Sequence, residues 1–211
     1  MRRLFLGLVL CLCASVSVAK DQAGVFDYYV MSLSWSPNWC DRTGTDQSSP
    51  QCDPDRDLGW SLHGLWPQYE SGWPSDCETS GAWPTRSETA DMADIMGTDG
   101  LAFYEWRKHG TCSGLDSAMY FKLARKAYDR VVRPKVFRSL TKSYHLPASV
   151  IEKAFLLDNP QLEADQITVT CKAQQIQEVR ICLTKTLSPR DCGRDVIRDC
   201  TLEDAEFHPI P

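Results

Sequence analysis

"ITVTCKAQQIQEVRICLTK", residues 167–185, is the stretch that decides the fold. Apolar and polar residues alternate through Ile167 to Cys171 and again through Ile176 to Lys185, the pattern of half-buried antiparallel strands. "RDVIRDC", residues 194–200, continues the alternation and is expected to add another strand. At the other end, "FDYYVMSLSW" (26–35) is rich in aromatic and β-branched residues, with Tyr29, Met31 and Leu33 on one side and Tyr28, Val30 and Ser32 on the other. "WSLHGLWP" (60–67) reads as a second, short strand stopped by Pro67. Helical spacing occupies the middle. It appears in "SETADMADIM" (87–96) up to Gly97, in "LAFYEWRKHGTC" (101–112), and in "DSAMYFKLARKAYDRVV" (116–132), where Met119, Leu123, Ala127 and Val131 form the apolar side. A last helix should start at Pro147 and run through "ASVIEKAFLLD". Two Pro-, Gly- and Ser-rich stretches, Ser36 to Leu58 and Gln68 to Arg86, read as loops, the second carrying Trp73 and Trp83. Strands at both ends with helices between them imply an α+β fold, a central antiparallel sheet flanked by several helices.

The chain has 211 residues, 43% hydrophobic and 24% charged, enough for one domain with a proper core. Its first residues place Arg2 and Arg3 before an apolar run from Leu4 to Cys13 and a small-residue exit at Ser17 to Ala19. That is the form of a secretory signal peptide, residues 1–19, leaving 20–211 as a single domain; the run is too short for a convincing membrane span. The location expected is secreted or periplasmic, with no membrane attachment after cleavage. Losing Arg2 and Arg3 takes the net charge from −5 to −7. A chain of that sign does not coat polyanions by bulk attraction, so contact with nucleic acid must come from a local cationic pocket.

Eight cysteines remain after the leader: Cys40, Cys52, Cys77, Cys112, Cys171, Cys182, Cys192 and Cys200. An even set in an exported chain points to four disulfides, and 105 pairings are open on composition alone. A zinc site is the competing reading, but no CxxC pair occurs and the histidines are few and remote from the cysteines.

"LAFYEWRKHGTC" raises a separate question. At helical spacing Leu101, Glu105, Lys108, His109 and Cys112 share one face, so three ionisable groups lie between two apolar anchors. "SLHGLWPQ" supplies a second imidazole, His63, beside Gly64 and Trp66. Two imidazoles on rigid elements, with an acid and an amine, are the groups needed to move protons to and from a phosphodiester without a metal. Each has a bland reading: His63 as a hydrogen-bonded core residue, Glu105 and Lys108 as a solvated pair, Trp66 as a core aromatic. Phe103 and Trp106, on the remaining faces of the helix, also want burial.

Taken together, "SLHGLWPQ", "FYEWRKHGTC" and "FDYYVMSLSWSPNWC" resemble the two active-site segments and the first core strand of the ribonuclease T2 family, over about Phe26 to Cys200. The resemblance implies a metal-independent endoribonuclease that needs no cofactor and acts on single-stranded RNA with little base specificity. It would give a 2′,3′-cyclic phosphate and then a 3′-phosphate. His109 would be the general base and His63 the general acid, with Glu105 and Lys108 stabilising the pentacovalent phosphorus. Trp66 would stack on the base upstream of the cut, with Gln68 and Tyr69 beside it. Tyr104 stands where many members carry a third histidine, its hydroxyl a neutral substitute toward phosphate, and Gln68 where some have aspartate. The implied pairs are Cys40 with Cys52, Cys77 with Cys112, Cys171 with Cys200, and Cys182 with Cys192.

Two rival readings stand beside this one. A zinc hydrolase would use His63, Glu105 and His109 as ligands, although Lys108 on the same face disfavours a dication. A catalytically inactive relative that binds RNA or a receptor would be expected to have lost a histidine, and both are present. The active form is expected to be a monomer.

Overall fold

β1 (Tyr28–Trp35) is buried at every position but one, which requires cover on both faces of the sheet. The computed structural model describes residues 21–211, so the expected signal peptide, residues 1–19, lies outside the described residues. After β1 the chain runs through α1 (Ser36–Trp39), β2 (Trp60–Gln68), α2 (Arg86–Ala90), α3 (Ala93–Met96), α4 (Asp99–Lys108) and α5 (Ser117–Arg130). It continues through β3 (Tyr144–Leu146), α6 (Ala148–Asp158), β4 (Ile167–Lys172), β5 (Gln175–Leu183) and β6 (Ala205–Phe207). The strands form one sheet in the order β2-β1-β5-β6-β3, with β4 also paired to β5. Among the described residues these strands pair antiparallel, except for the parallel contact of Gln175 on β5 with Glu206 on β6. This is the α+β architecture expected, and no helix among the described residues is long and apolar enough to cross a membrane.

The two faces of the sheet differ. Tyr29, Met31, Leu33 and Trp35 of β1, with Leu62 and Leu65 of β2, face the main core, where they meet Met96, Ala102 and Trp106 of the helical layer, Tyr120 of α5, and Ile151 and Phe155 of α6. On the opposite face Tyr28, Val30, Cys182 and Val196 make only a small apolar cluster. Leu62 and Leu65 are three residues apart yet share a face because the register shifts at Ser32/Leu33: Ser32 pairs with Gly64 and Leu33 with Leu62. His63 is the extra residue of a β-bulge, which turns it to the same side as Trp66.

Several expectations from sequence are corrected. Ser36 to Leu58 is largely helical: α1 runs into a π-helical turn, Cys40–Gly44, and two 3-10 turns follow. The Pro, Ser and Asp residues that read as loop are helix starters here; Ser49 and Asp53 cap turns that begin with Pro50 and Pro54. β2 continues past Pro67 to Gln68, which the sheet tolerates because β2 is its edge. The segment read as one helix from Ser87 is two, α2 and α3. It is capped by Thr85 and Glu88 in a reciprocal box, and broken where the Asp91 carbonyl accepts from Arg125. α5 buries Tyr120, Phe121, Ala124 and Ala127 and leaves Met119 half exposed, because two aromatic rings remove more apolar surface than Met119 and Leu123 would. Phe103 is also exposed, stacked on Trp83 with ring centroids 5.8 Å apart. "RDVIRDC" is not a strand. Its polar groups are spent elsewhere: Asp195 accepts from the Gly72 amide and Asp199 from Thr168 and Val169. Disulfides join Cys40 to Cys52, Cys77 to Cys112, Cys171 to Cys200 and Cys182 to Cys192, the same four pairs the resemblance implies.

Candidate active site

The bulge in β2 and the end of α4 bring the chemistry together. α4 is capped by Thr98, whose side chain accepts from the Leu101 amide, and it ends at Lys108 with His109 as its C-cap. Ala102 and Trp106 face the core while Glu105 and His109 close over the edge strand, both buried, Glu105 at 1% exposure. Glu105 is the hub: its Oε2 accepts from Trp66 Nε1 at 2.6 Å, and its Oε1 lies 3.6 Å from His63 Nε2. A Cβ on Gly64 would stand under 3.0 Å from both Glu105 Oε2 and Trp66 Nε1, so only glycine leaves room for that bond. Trp66 lies between the imidazoles, edge-on to His63 and tilted by 34° to His109, with centroids 5.3 Å from each.

Two residues missed at the sequence level complete the array. Glu178 of β5, 1% exposed, accepts from His63 Nδ1 at 2.6 Å. Arg180, two residues on and on the same sheet face, donates to the other Glu178 oxygen through Nε and an Nη at 2.9 and 2.8 Å, and its guanidinium lies 5.4 Å from the Trp66 ring centroid. A cavity of about 360 Å³ opens over this cluster, lined by Trp66, Gln68, Tyr104, Lys108, His109 and Arg180, with the exposed Trp73 at its mouth. A second, of about 300 Å³, lies beyond His63 and is lined by Trp39, Arg42 and Lys172; His63, Gln177 and Glu178 border both. Tyr104 receives a hydrogen bond from Lys108 Nζ at 3.2 Å. Tyr69 does not join the site, since the residue after Gln68 falls on the other side; its hydroxyl donates to Asp21 and its ring packs on the main core.

The surroundings drive the two histidines apart. Burial alone lowers the His63 pKa, but the hydrogen bond to Glu178 and the charges of Glu178 and Glu105 outweigh it and raise it above the ordinary value. Burial, then the charges of Lys108 and His63, push His109 down to about 3. Its Nδ1 is buried without a hydrogen-bond partner among the described residues, a loss less severe for a neutral ring than for a charged one. Glu178 is held at about 2: burial opposes ionisation, but His63 and Arg180 overcome it. Burial lifts Glu105, moderated by His63, Trp66 and Lys108. The trio considered for zinc does not converge, and among the described residues no group of three His, Cys, Asp or Glu is placed to hold a metal ion.

A model of the Ribonuclease T2 family matches residues 26–192. A curated ribonuclease of Aeromonas hydrophila is 44% identical over 120 residues, which is 56% of this chain and 53% of that protein. The chain thus spans about half the length of that relative, as it does for two further curated ribonucleases it matches. Among solved structures, an RNase-related protein from Calystegia sepium superposes with a TM-score of 0.63 at 24% identity, over 88% of this chain and 97% of that one. RNase NT in complex with 5′-AMP gives 0.60 at 24% identity, over 89% and 99%. At these identities the two structures speak for the fold.

Proposed function

The chain belongs to the ribonuclease T2 family, and we propose on that basis that it is a metal-independent endoribonuclease acting on single-stranded RNA. The observation that carries the reading is the split between the histidines: His109, buried beside Lys108, is held uncharged and ready to take a proton, while the Glu178 and Glu105 carboxylates favour the charged form of His63, which has a proton to give. In transfer, His109 removes the proton of the 2′-hydroxyl and that oxygen attacks phosphorus. The 5′-oxygen leaves with the proton of His63, giving a 2′,3′-cyclic phosphate. Water then opens the cyclic ester with the two roles exchanged, leaving a 3′-phosphate. Lys108, with Glu105 ordering the array, offsets charge on the crowded phosphorus.

The two cavities on either side of His63 suit a strand that crosses the catalytic cluster, with Lys108 and Arg180 in one and Arg42 and Lys172 in the other. They supply the local cations that contact with a polyanion requires in a chain of net charge −5. Trp66 and Gln68 border the upstream base, and stacking rather than edge recognition accounts for little base preference. Four disulfides accord with a secreted or periplasmic monomer released from its signal peptide and from the membrane.

The test is cleavage of single-stranded RNA, against DNA of the same sequence, with EDTA present and the product ends analysed. RNA alone should be cut, giving cyclic ends first. Replacing His63 or His109 by Ala should each cost about 10²–10⁴-fold. Cleavage of DNA would remove the mechanism. Loss of activity with EDTA and recovery with zinc would replace it by a zinc hydrolase, and a folded chain that binds RNA without cutting it would be an inactive relative.

A further inference from the structure

His63 is held from behind by a group that the transfer chemistry does not itself consume. Glu178 is almost wholly buried, lies 115 residues away in sequence, and meets the imidazole at Nδ1. Its other oxygen takes two hydrogen bonds from Arg180, so the carboxylate cannot turn without breaking three contacts. Both guanidinium hydrogen bonds go to one oxygen, so the other oxygen of this deeply buried carboxylate is satisfied by the His63 imidazole, and the carboxylate is held between the two.

We propose that Glu178, locked by Arg180, is a positioning residue for His63: it keeps the proton on Nδ1, fixes the plane of the ring, and leaves Nε2, on the Glu105 side, as the nitrogen that exchanges a proton with the substrate. This rests on the ribonuclease reading of the site. An ionised carboxylate can only accept, so Nδ1 must carry hydrogen in the neutral ring as well as in the charged one. The same contact sets how readily Nε2 gives up its proton. The charged groups around the ring are Glu178 and Arg180 on β5, Glu105 on α4 with Lys108 and His109 at its end, and Arg42 and Lys172 bordering the far cavity. Glu178 and Glu105 favour the imidazolium and Arg180 opposes it.

The opposing signs allow a test that a merely structural role would not pass. The His63 imidazole is titrated by NMR in the wild-type chain, in Glu178→Gln and in Arg180→Gln, beside the pH dependence of kcat/KM on a dinucleotide. Glu178→Gln should lower the His63 pKa by about 1–3 units, the range for an opposite charge in contact, and drop kcat/KM on the alkaline limb by about 10- to 1000-fold. Arg180→Gln should shift the pKa and the alkaline limb upward by a smaller amount. If Glu178→Gln does not fold, Arg180→Gln decides by its sign, with Glu178→Asp as a second variant that keeps the charge and pulls it back from Nδ1. A His63 titration that stays put, or moves the same way, in folded Gln variants overturns the proposal. A wild-type chain that leaves RNA intact overturns the ribonuclease reading instead, and the NMR titration still decides the pair.

Discussion

Gly64→Ala tests whether the site depends on the close approach of Glu105 to Trp66. Gly64 does not need a left-handed backbone, so the methyl group is opposed by space alone. It would stand under 3.0 Å from the Glu105 carboxylate and the Trp66 indole nitrogen, where ordinary contact begins at 3.4 Å, and the two groups joined by the 2.6 Å bond must part. Losing a hydrogen bond to a buried carboxylate costs about 1.5–3 kcal/mol, and crowding a packed site adds about 1–3 kcal/mol. The expected destabilisation is therefore about 2.5–6 kcal/mol, lowering Tm by roughly 5–24 °C for a domain of this size. Activity should fall further than stability explains, because displacing a positioned group by about 1 Å costs on the order of 10²-fold. Denaturant unfolding, dinucleotide kinetics at a temperature where the variant is folded, and the NMR signal of the Trp66 indole N–H would be read together. A variant within about 1 kcal/mol of wild type, with unchanged kinetics and an unmoved indole resonance, would refute the reasoning.

Other outcomes follow from the same geometry. kcat/KM on a dinucleotide should be bell-shaped, rising through the His109 pKa of about 3 and falling only above the ordinary histidine value of 6.5, where the raised His63 loses its proton; a monotonic rise to alkaline pH would remove the acid–base pair. Long RNA should show a more acidic optimum than the dinucleotide, because protonating surface carboxylates weakens repulsion by a chain of net charge −5; identical optima would make that repulsion irrelevant. Glu178, depressed from 4.5 to about 2, contributes about 3 kcal/mol of stability that is fully present above pH 4.5 and lost as pH falls through 2, so guanidinium unfolding between those values should be less pH-dependent in Glu178→Gln. Removing the Cys77–Cys112 bridge, which closes 35 residues, should cost about 3–4 kcal/mol by the chain-entropy estimate and expose residues 78–85 to protease; a Tm within 2 °C of wild type would contradict it.

The candidate site is legible where its residues are contiguous. His63, Gly64 and Trp66 sit within one strand, and Glu105, Lys108 and His109 within one helical turn and its cap, so spacing alone brings them near one another. Glu178 and Arg180 are not, because alternating charges on a strand read as a solvated face; here that face is closed by Trp66 and α4. The signal available was a glycine inside β2 with leucines three apart on either side of it, which marks a bulge and a close approach. "RDVIRDC" misleads for the opposite reason: its alternation is real, but two disulfides and the aspartates on either side of Val196 bind it as a loop. On α5 Ala127 and Val131 are buried and Leu123 packs on the core as their spacing implies, but Met119 is exposed, because methionine at helical spacing looks as buriable as the Tyr120 and Phe121 that take its place and only tertiary area decides.

The partner of His63 comes from far along the chain, and this has a consequence for synthesis. A ribosome makes β2 and α4 early, but β5 emerges only after α6 and β4, and Cys200 later still. Until then the nascent polypeptide holds both imidazoles without the carboxylate that orders one of them, and β1 lacks the neighbour on its inner side. The unfinished chain therefore has neither the β5 neighbour of β1 nor the buried carboxylate that meets His63. Closure of the sheet and of the His63 contact waits for the last quarter of the polypeptide to leave the translation machinery, and the Cys171–Cys200 and Cys182–Cys192 bridges wait for its thiols to meet an oxidant.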